Sequence, residues 1–305
     1  HVRPVCPSTR SSLLAFGSAV IGRIMEDEGF SVAIIAQPNW QDATDFTKLG
    51  KPNLFFGITA GNMDSMVNRY TADRKIRSND AYTANGEPGK RPDHSVNVYA
   101  QRAREAYKGV PVIIGGIEAS LRRIAHFDYW SEKVRRSILP DSKADMLFYG
   151  NAERAIVELA HRLANGESIK EIHDIRGTAF MTSDIPPGWS VINSTDVDQP
   201  GRIEEPIDPY IDRSKKNDDC EQSHVGKTSA NKNIIRFQPK TVNLKLDRKT
   251  TAIRLPSYEQ VSTDKVLYAH ASRVFHLETN PGNARALIQQ HGERLVWLNP
   301  PPHPL

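Results

Sequence analysis

Three short stretches combine glycine with polar side chains where a strand would hand over to a helix. The first, GITAGNMDSMVNRYTADRK (57–75), sets Thr59, Asn62 and Asp64 beside Gly57 and Gly61. Glycine there permits φ > 0 and a close backbone approach. The second, IIGGIEASLRR (113–123), places Gly115 and Gly116 directly before a helix-like start bearing Glu118 and Ser120. Free N–H groups at such a turn can hold a phosphate or a carboxylate. The third, FYGNAERA (148–155), repeats the order strand, glycine, helix. Thr59, Asn62, Asp64, Gly115, Gly116, Glu118 and Ser120 are therefore the expected cleft residues. Plain turn geometry would use the same words, and Glu118 at a helix start is also favoured by the helix dipole alone.

Two further stretches are basic and carry tyrosines, 69–91 and 121–143, each with six Lys/Arg against three Asp/Glu. Arginine and aromatic side chains together suit stacking and phosphate contacts. Arg69, Arg74, Arg122, Arg123, Arg135 and Arg136 are the expected contacts to phosphate or to a neighbouring domain. A solvated surface would have the same composition.

Other chemistries lack their residues. Neither GxGxxG nor GxxxxGK[ST] occurs, so both nucleotide fingerprints are missing. The two cysteines, Cys6 and Cys220, cannot supply a four-thiolate zinc or iron–sulfur site within one chain. His270, His276 and Glu278 are spaced by six and two residues, which does not place them on one helical face. No HExxH and no nucleophile elbow are present. No metal site and no catalytic residue are expected.

The elements that must position these residues follow from periodicity. FGSAVIGRIMEDEG puts Val20, Ile21, Ile24 and Met25 on one helical stripe, with Gly29 as a stop. SVAIIAQ (31–37), KPNLFFGIT (51–59), VPVIIGG (110–116) and ADMLFYG (144–150) read as apolar strands. RAREAYKG and NAERAIVELAHRLANG read as helices between and after them, the latter with Asn151 as N-cap. Continuous apolar strands alternating with amphipathic helices indicate an α/β fold, with a mostly parallel, doubly wound (Rossmann-like) sheet covered on both faces. NARALIQQHG reads as a helix ended by Gly292, and RLVWLN as a last strand.

Four segments result. Residues 1–15 read as a disordered or foreign lead, and 16–182 as the Rossmann-like domain. The span 183–241, rich in Pro, Asp, Ser, Lys and Asn, reads as a polar variable insertion. Residues 242–305 read as an α/β extension ending in the Pro-rich connector NPPPHPL. Apolar residues make up 38% of the 305, and the net charge is +4, too mild to imply a polyanion partner. No run of about 18 apolar residues could span a membrane, and no signal peptide is evident, which points to the cytoplasm.

NLFFGITAGNMDSMVNRYTADRK, the long run from GKRPDHSVNVYAQRAREAYKG to DMLFYGNAERA, and KVLYAHASRVFHLETNPGNARAL closely resemble the N-terminal half of the YgiQ-type family of radical SAM proteins. The resemblance runs from Phe16 to the C-terminus, with 183–241 as its variable part. It implies a parent protein whose central domain binds a [4Fe–4S] cluster through CxxxCxxC and cleaves S-adenosylmethionine to a 5′-deoxyadenosyl radical on an undefined substrate. It also implies likeness to cobalamin-binding domains, through the turn at 115–123 and the Asp145, Gly150, Glu153 stretch. Two departures stand out. No CxxxCxxC occurs in these residues, so cluster and S-adenosylmethionine would belong to the full-length parent only. The family also has another strand and an Asp-His-Pro-Ser-Phe-Gly turn before the first helix. Here the place reads SSLLAFG, without the histidine a cobalamin ligand would need, which argues against cobalamin.

The resulting expectation is a non-catalytic accessory region whose partner is the missing radical SAM domain, with a strand-end cleft open to a small-molecule or nucleotide substrate. The alternative is a stand-alone nucleotide or nucleic-acid binding module that uses the basic-aromatic stretches.

Overall fold

The computed structural model describes residues 16–210 and 247–304. The lead at 1–15, Cys6, Cys220 and most of the polar insertion lie outside the described residues. The first helix, α1 (Phe16–Asp27), buries Met25 and stops at Gly29, whose φ is +87°. The run 31–37 joins no strand among the described residues. An extended segment becomes a strand only with a hydrogen-bonding neighbour. This one instead lays Val32 against the cluster that also holds Met25.

After a single turn, α2 (Thr44–Thr47), come β1 (Phe56–Thr59), α3 (Ser65–Arg69), α4 (Ser95–Ala106) and β2 (Val112–Gly115). Then follow α5 (Gly116–Leu121), the hairpin β3 (His126–Asp128) and β4 (Lys133–Arg135), α6 (Ile138–Ser142) and β5 (Met146–Phe148). The helix α7 (Glu153–Ala164) and the strand β6 (Thr178–Thr182) close this half. Ala152, not Asn151, stands at the N-cap of α7, and no side chain caps it. The second half contains β7 (Ser190–Asn193), β8 (Thr251–Arg254), α8 (Tyr258–Thr263), α9 (Lys265–Leu277), β9 (Ala286–His291) and β10 (Arg294–Leu298).

One eight-stranded sheet, in the order β1-β2-β5-β6-β10-β9-β8-β7, runs through both halves. β1, β2 and β5 are mutually parallel, as are β7, β8 and β9, and two antiparallel steps through β6 and β10 join the triplets to each other, with a third between β10 and β9. The fold is therefore mixed α/β with a mostly parallel sheet. β7 lies inside the stretch read as a polar insertion, so the sheet reaches into it.

Alternation along the strands splits the core between the two faces. Val112, Ile114 and Leu147 meet Val96, Ala100 and Leu139 of α4 and α6 on one side. Ile113, Met146 and Phe148 meet Ile156 and Leu159 of α7 on the other. NARALIQQHG, expected as a helix, is instead the strand β9 followed by a two-residue turn at Gly292 (φ +61°) into β10. A short apolar run buried on both faces has no period of its own, so a central strand and a buried helix look alike in sequence.

The hairpin β3–β4 leans on the second half, where the Ala125 N–H donates to Gln289 Oε1 at 2.7 Å. Burial there pushes the imidazoles of His126 and His291 down to about 4. Both are then neutral in the folded chain at pH values where an unfolded histidine, with a pKa near 6.5, is charged. The unfolded state thus binds more protons below pH ~6.5, and stability falls as the pH drops toward 4, by on the order of 3 kcal/mol per histidine. Urea unfolding at pH 7, 5.5 and 4.5 should show that loss, and His291→Gln should flatten part of it. A midpoint unchanged between pH 7 and 4.5 would contradict the burial argument.

Candidate functional site

In parallel sheets, ligands bind beyond the carboxyl ends of the strands. β1, β2, β5 and β10 all point the same way, so Thr59, Gly115, Tyr149 and Asn299 lie at one edge of the sheet. At this edge Gly116 has φ +79°, and a Cβ there would sit 2.4 Å from Thr59 Oγ1. Thr59 Oγ1 itself accepts the Gly61 N–H at 3.2 Å. The glycine is thus required twice, by its torsion and by the threonine against it. Gly115 is extended, and a Cβ on it would meet nothing closer than 3.6 Å. Asn62 is exposed and Ser120 half-buried at the same edge.

Asp64 and Glu118 face inward instead. Glu118 is 1% exposed, and its two oxygens accept the N–H of Ser65 at 2.9 Å and of Val96 at 3.0 Å. One carboxylate therefore caps the starts of α3 and α4 together. Asp64 caps α3 through the N–H groups of Met66 and Val67, and it pairs with buried Arg122. Ser65 Oγ accepts the Ser95 N–H at 3.1 Å, adding a further bond between α3 and α4. Asp64, Glu118 and Arg122 form an internal tie that holds the cleft's floor, and all three are too enclosed to meet a ligand. The Asp64 carboxylate raises the pKa of the Arg122 guanidinium against the opposing cost of its burial.

The six arginines sort sharply by partner. Arg69 pairs with Asp93, Arg74 with Glu132, Arg122 with Asp64, Arg135 with Asp128 and Arg136 with Asp141. Among the described residues, Arg123 alone of the six has no carboxylate partner. Its guanidinium lies over the rings of Tyr149 at 4.5 Å and Phe275 at 4.3 Å. Its Nη1 donates to the Ser120 carbonyl, and its buried Nε has no acceptor. Burial lowers its pKa. Arg123 lines a pocket of about 210 Å³ that also takes in Glu278, Arg285, Asn299 and Pro301. A second pocket, about 230 Å³, lies beside Arg69, Arg77, Asp80 and Arg91. There Arg91 clasps Asp80 at 2.8–3.1 Å, and Arg91 with the Tyr82 N–H holds the Asp80 carboxyl below the usual range against its burial.

Two arrangements had no sequence signal, because one partner in each lies far away in the chain, Arg248 from Glu278 and His270 from Ser194. Glu278, expected only as a possible companion of histidines, accepts from Arg285 Nε at 3.0 Å, from the Arg285 N–H at 2.6 Å and from Arg248. Ser194, His270 and Asp198 also come together, with His270 Nε2 3.0 Å from Ser194 Oγ and Nδ1 3.8 Å from Asp198 Oδ2. The order resembles a nucleophilic triad, yet all three are buried, and Arg273 holds the Asp198 carboxylate at 2.8 Å. The longer of the two gaps exceeds a hydrogen bond. The trio therefore ties α9 to the turn after β7. Among the described residues no group of three or more His, Cys, Asp and Glu could hold a metal ion, and no helix is long and apolar enough to cross a membrane.

Fold and site define a mixed α/β domain with a pocket beside the ends of β5 and β10. The chain belongs to the radical SAM N-terminal family, whose model matches residues 13–305. It is 59% identical over 95% of its length to a UPF0313 protein of Pseudomonas aeruginosa, and 57% identical over 95% to one of Vibrio cholerae. It covers 39% and 36% of those two proteins, so it spans about two fifths of the length of the curated relatives it matches. Over 53% of this chain it also aligns with TsrM, a radical S-adenosylmethionine methyltransferase of Kitasatospora setae. That alignment covers 24% of TsrM at a TM-score of 0.35 and 20% identity, too weak a likeness to carry anything across.

Gly116→Ala should cost about 2–3 kcal/mol, roughly half from the left-handed torsion and the rest from the clash with Thr59. Adding Thr59→Ala should recover the clash part only, which a double-mutant cycle in urea would resolve. Equal costs with and without Thr59 would show that the contact is not real. Glu118→Gln should cost about 2 kcal/mol, because one of two buried N–H groups then faces an amide NH2 instead of an acceptor. Circular dichroism melts would register it as a fall in Tm.

Proposed function

We propose that this chain is the Rossmann-like N-terminal accessory region of a longer radical SAM enzyme of undefined substrate. In this reading its strand-end cleft closes one side of the cavity in which a catalytic domain works. The observation that carries it is the match of the family model to nearly the whole chain, while the relatives continue well beyond it. Support also comes from the course of residues 299–304. Pro301 lines the Arg123 pocket, and the ring of Pro302 lies about 3 Å from where a Cβ on Gly150 or Gly177 would be. The polypeptide thus leaves the sheet across the cleft's lip.

The cluster expected of such an enzyme does not fit these residues. A [4Fe–4S] centre takes four thiolates, and the chain has two cysteines. Cluster and S-adenosylmethionine would therefore be held by the rest of the parent, and this chain's part is to shape and bind. The rival reading, a module that grips nucleic acid through the basic stretches, loses much of its basis. Of the arginines it relies on, Arg69, Arg74, Arg122, Arg135 and Arg136 already answer to carboxylates of the same chain.

Expressed anaerobically, the full reading frame should carry iron and sulfide near four each per chain and release 5′-deoxyadenosine from S-adenosylmethionine on reduction. The 305-residue chain alone should do neither. A well-folded full-length protein without iron and sulfide, or S-adenosylmethionine cleavage by this chain by itself, would end the reading.

A further inference from the structure

The pocket at Arg123 poses a charge problem. Removing a guanidinium from water costs several kcal/mol unless it is paired. Stacking on aromatic faces returns about 0.5–2 kcal/mol. The Arg123 guanidinium lies over the rings of both Tyr149 and Phe275, and Nη1 is used by the Ser120 carbonyl. What remains is Nη2, which has no hydrogen bond among the described residues, beside an Nε that is buried without an acceptor. Together they form the fork that meets two oxygens of one planar or tetrahedral anion.

The surroundings add positive charge without relieving it. Arg176, half-buried and in electrostatic reach of Tyr149, donates to the carbonyls of Pro301 at 3.0 Å and Pro281 at 2.7 Å. Among the described residues it too has no carboxylate partner, and burial lowers its pKa as it does for Arg123. Tyr149 cannot supply a counter-charge. Burial pushes its hydroxyl up to about 12, and the proton is donated to the Asn299 carbonyl. Glu278, the one carboxylate lining the pocket, is already shared by Arg285 and Arg248. The pocket therefore holds more guanidinium charge than the described residues neutralise.

We infer that the Arg123 pocket is a binding site for an anionic oxygen group, a carboxylate or phosphate of a small ligand, seated on the free edge of the guanidinium. Its size agrees. About 210 Å³ is below the 300–1,000 Å³ usual for whole drug-sized ligands, so it admits one head group with the remainder of the molecule outside. The inference does not depend on the radical SAM reading. Anion binding here would stand even if the longer protein held no cluster.

Calorimetric titration of the whole protein with inorganic phosphate, and separately with acetate, at constant ionic strength tests it. One arm should show saturable binding that weakens at least about tenfold in Arg123→Gln, less in Arg123→Lys, and not in the Arg136→Gln control. Whichever anion binds identifies the head group. Saturable binding by neither anion, or equal affinity in Arg123→Gln, would overturn the assignment. Should Arg123→Gln fail to fold, Thr279→Glu leaves Arg123 in place and sets a resident carboxylate in the same pocket. It should abolish binding and raise Tm, and undiminished binding in that variant would also refute the site.

Discussion

The pairing of β6 with β10 holds this molecule together. It runs from Ala179 against Leu298 to Thr182 against Leu295, joining segments more than a hundred residues apart. Asn299 locks its end. Its amide donates to the carbonyls of His173 and Ile175 and to Thr178 Oγ1, and its oxygen accepts Trp297 Nε1 at 2.9 Å. Because β6 is antiparallel to both neighbours, β10 is turned to point with β5. The pocket needs that direction. Tyr149 from the end of β5 and Asn299 from the end of β10 could not otherwise line one cavity.

Around that cavity, polar groups divide into those already satisfied and those left waiting. Glu118 and Asp64 satisfy two helix starts and Asp64 pairs with Arg122, which spends their hydrogen-bonding capacity inside the protein. Breaking such a buried set by removing one member leaves an uncompensated charge, so it reads as architecture. Arg123 differs because its aromatic neighbours stabilise the cation but offer no acceptor in the guanidinium plane. The same physics that makes the first group a scaffold makes the second a receptor.

The trio Ser194, His270 and Asp198 shows why residue type alone is a poor guide to role. Its members match a hydrolytic arrangement by name, but burial and the competing claim of Arg273 on Asp198 make it a fastening for α9. Access and unsatisfied valence, more than identity, separate a site from a strut.

The amino-acid sequence by itself determined the α/β class, the helices α1, α4 and α7, the strands β1, β2, β5 and β10, and the family. Each of these rests on local period, on glycine stops such as Gly29, or on long words of residues. It also brought Thr59, Gly115 and Gly116 to a strand-end turn, since those chemistries are local. Tertiary structure alone decided that 286–291 is a strand and that 31–37 joins none, because strand formation depends on a partner elsewhere in the chain. It alone decided that Asp64 and Glu118 turn inward, and that among six similar arginines only Arg123 lacks a carboxylate within the described residues. Charge pairing is a matter of distance in space, and the carboxylates that neutralise Arg74 and Arg122 lie 58 positions away along the chain.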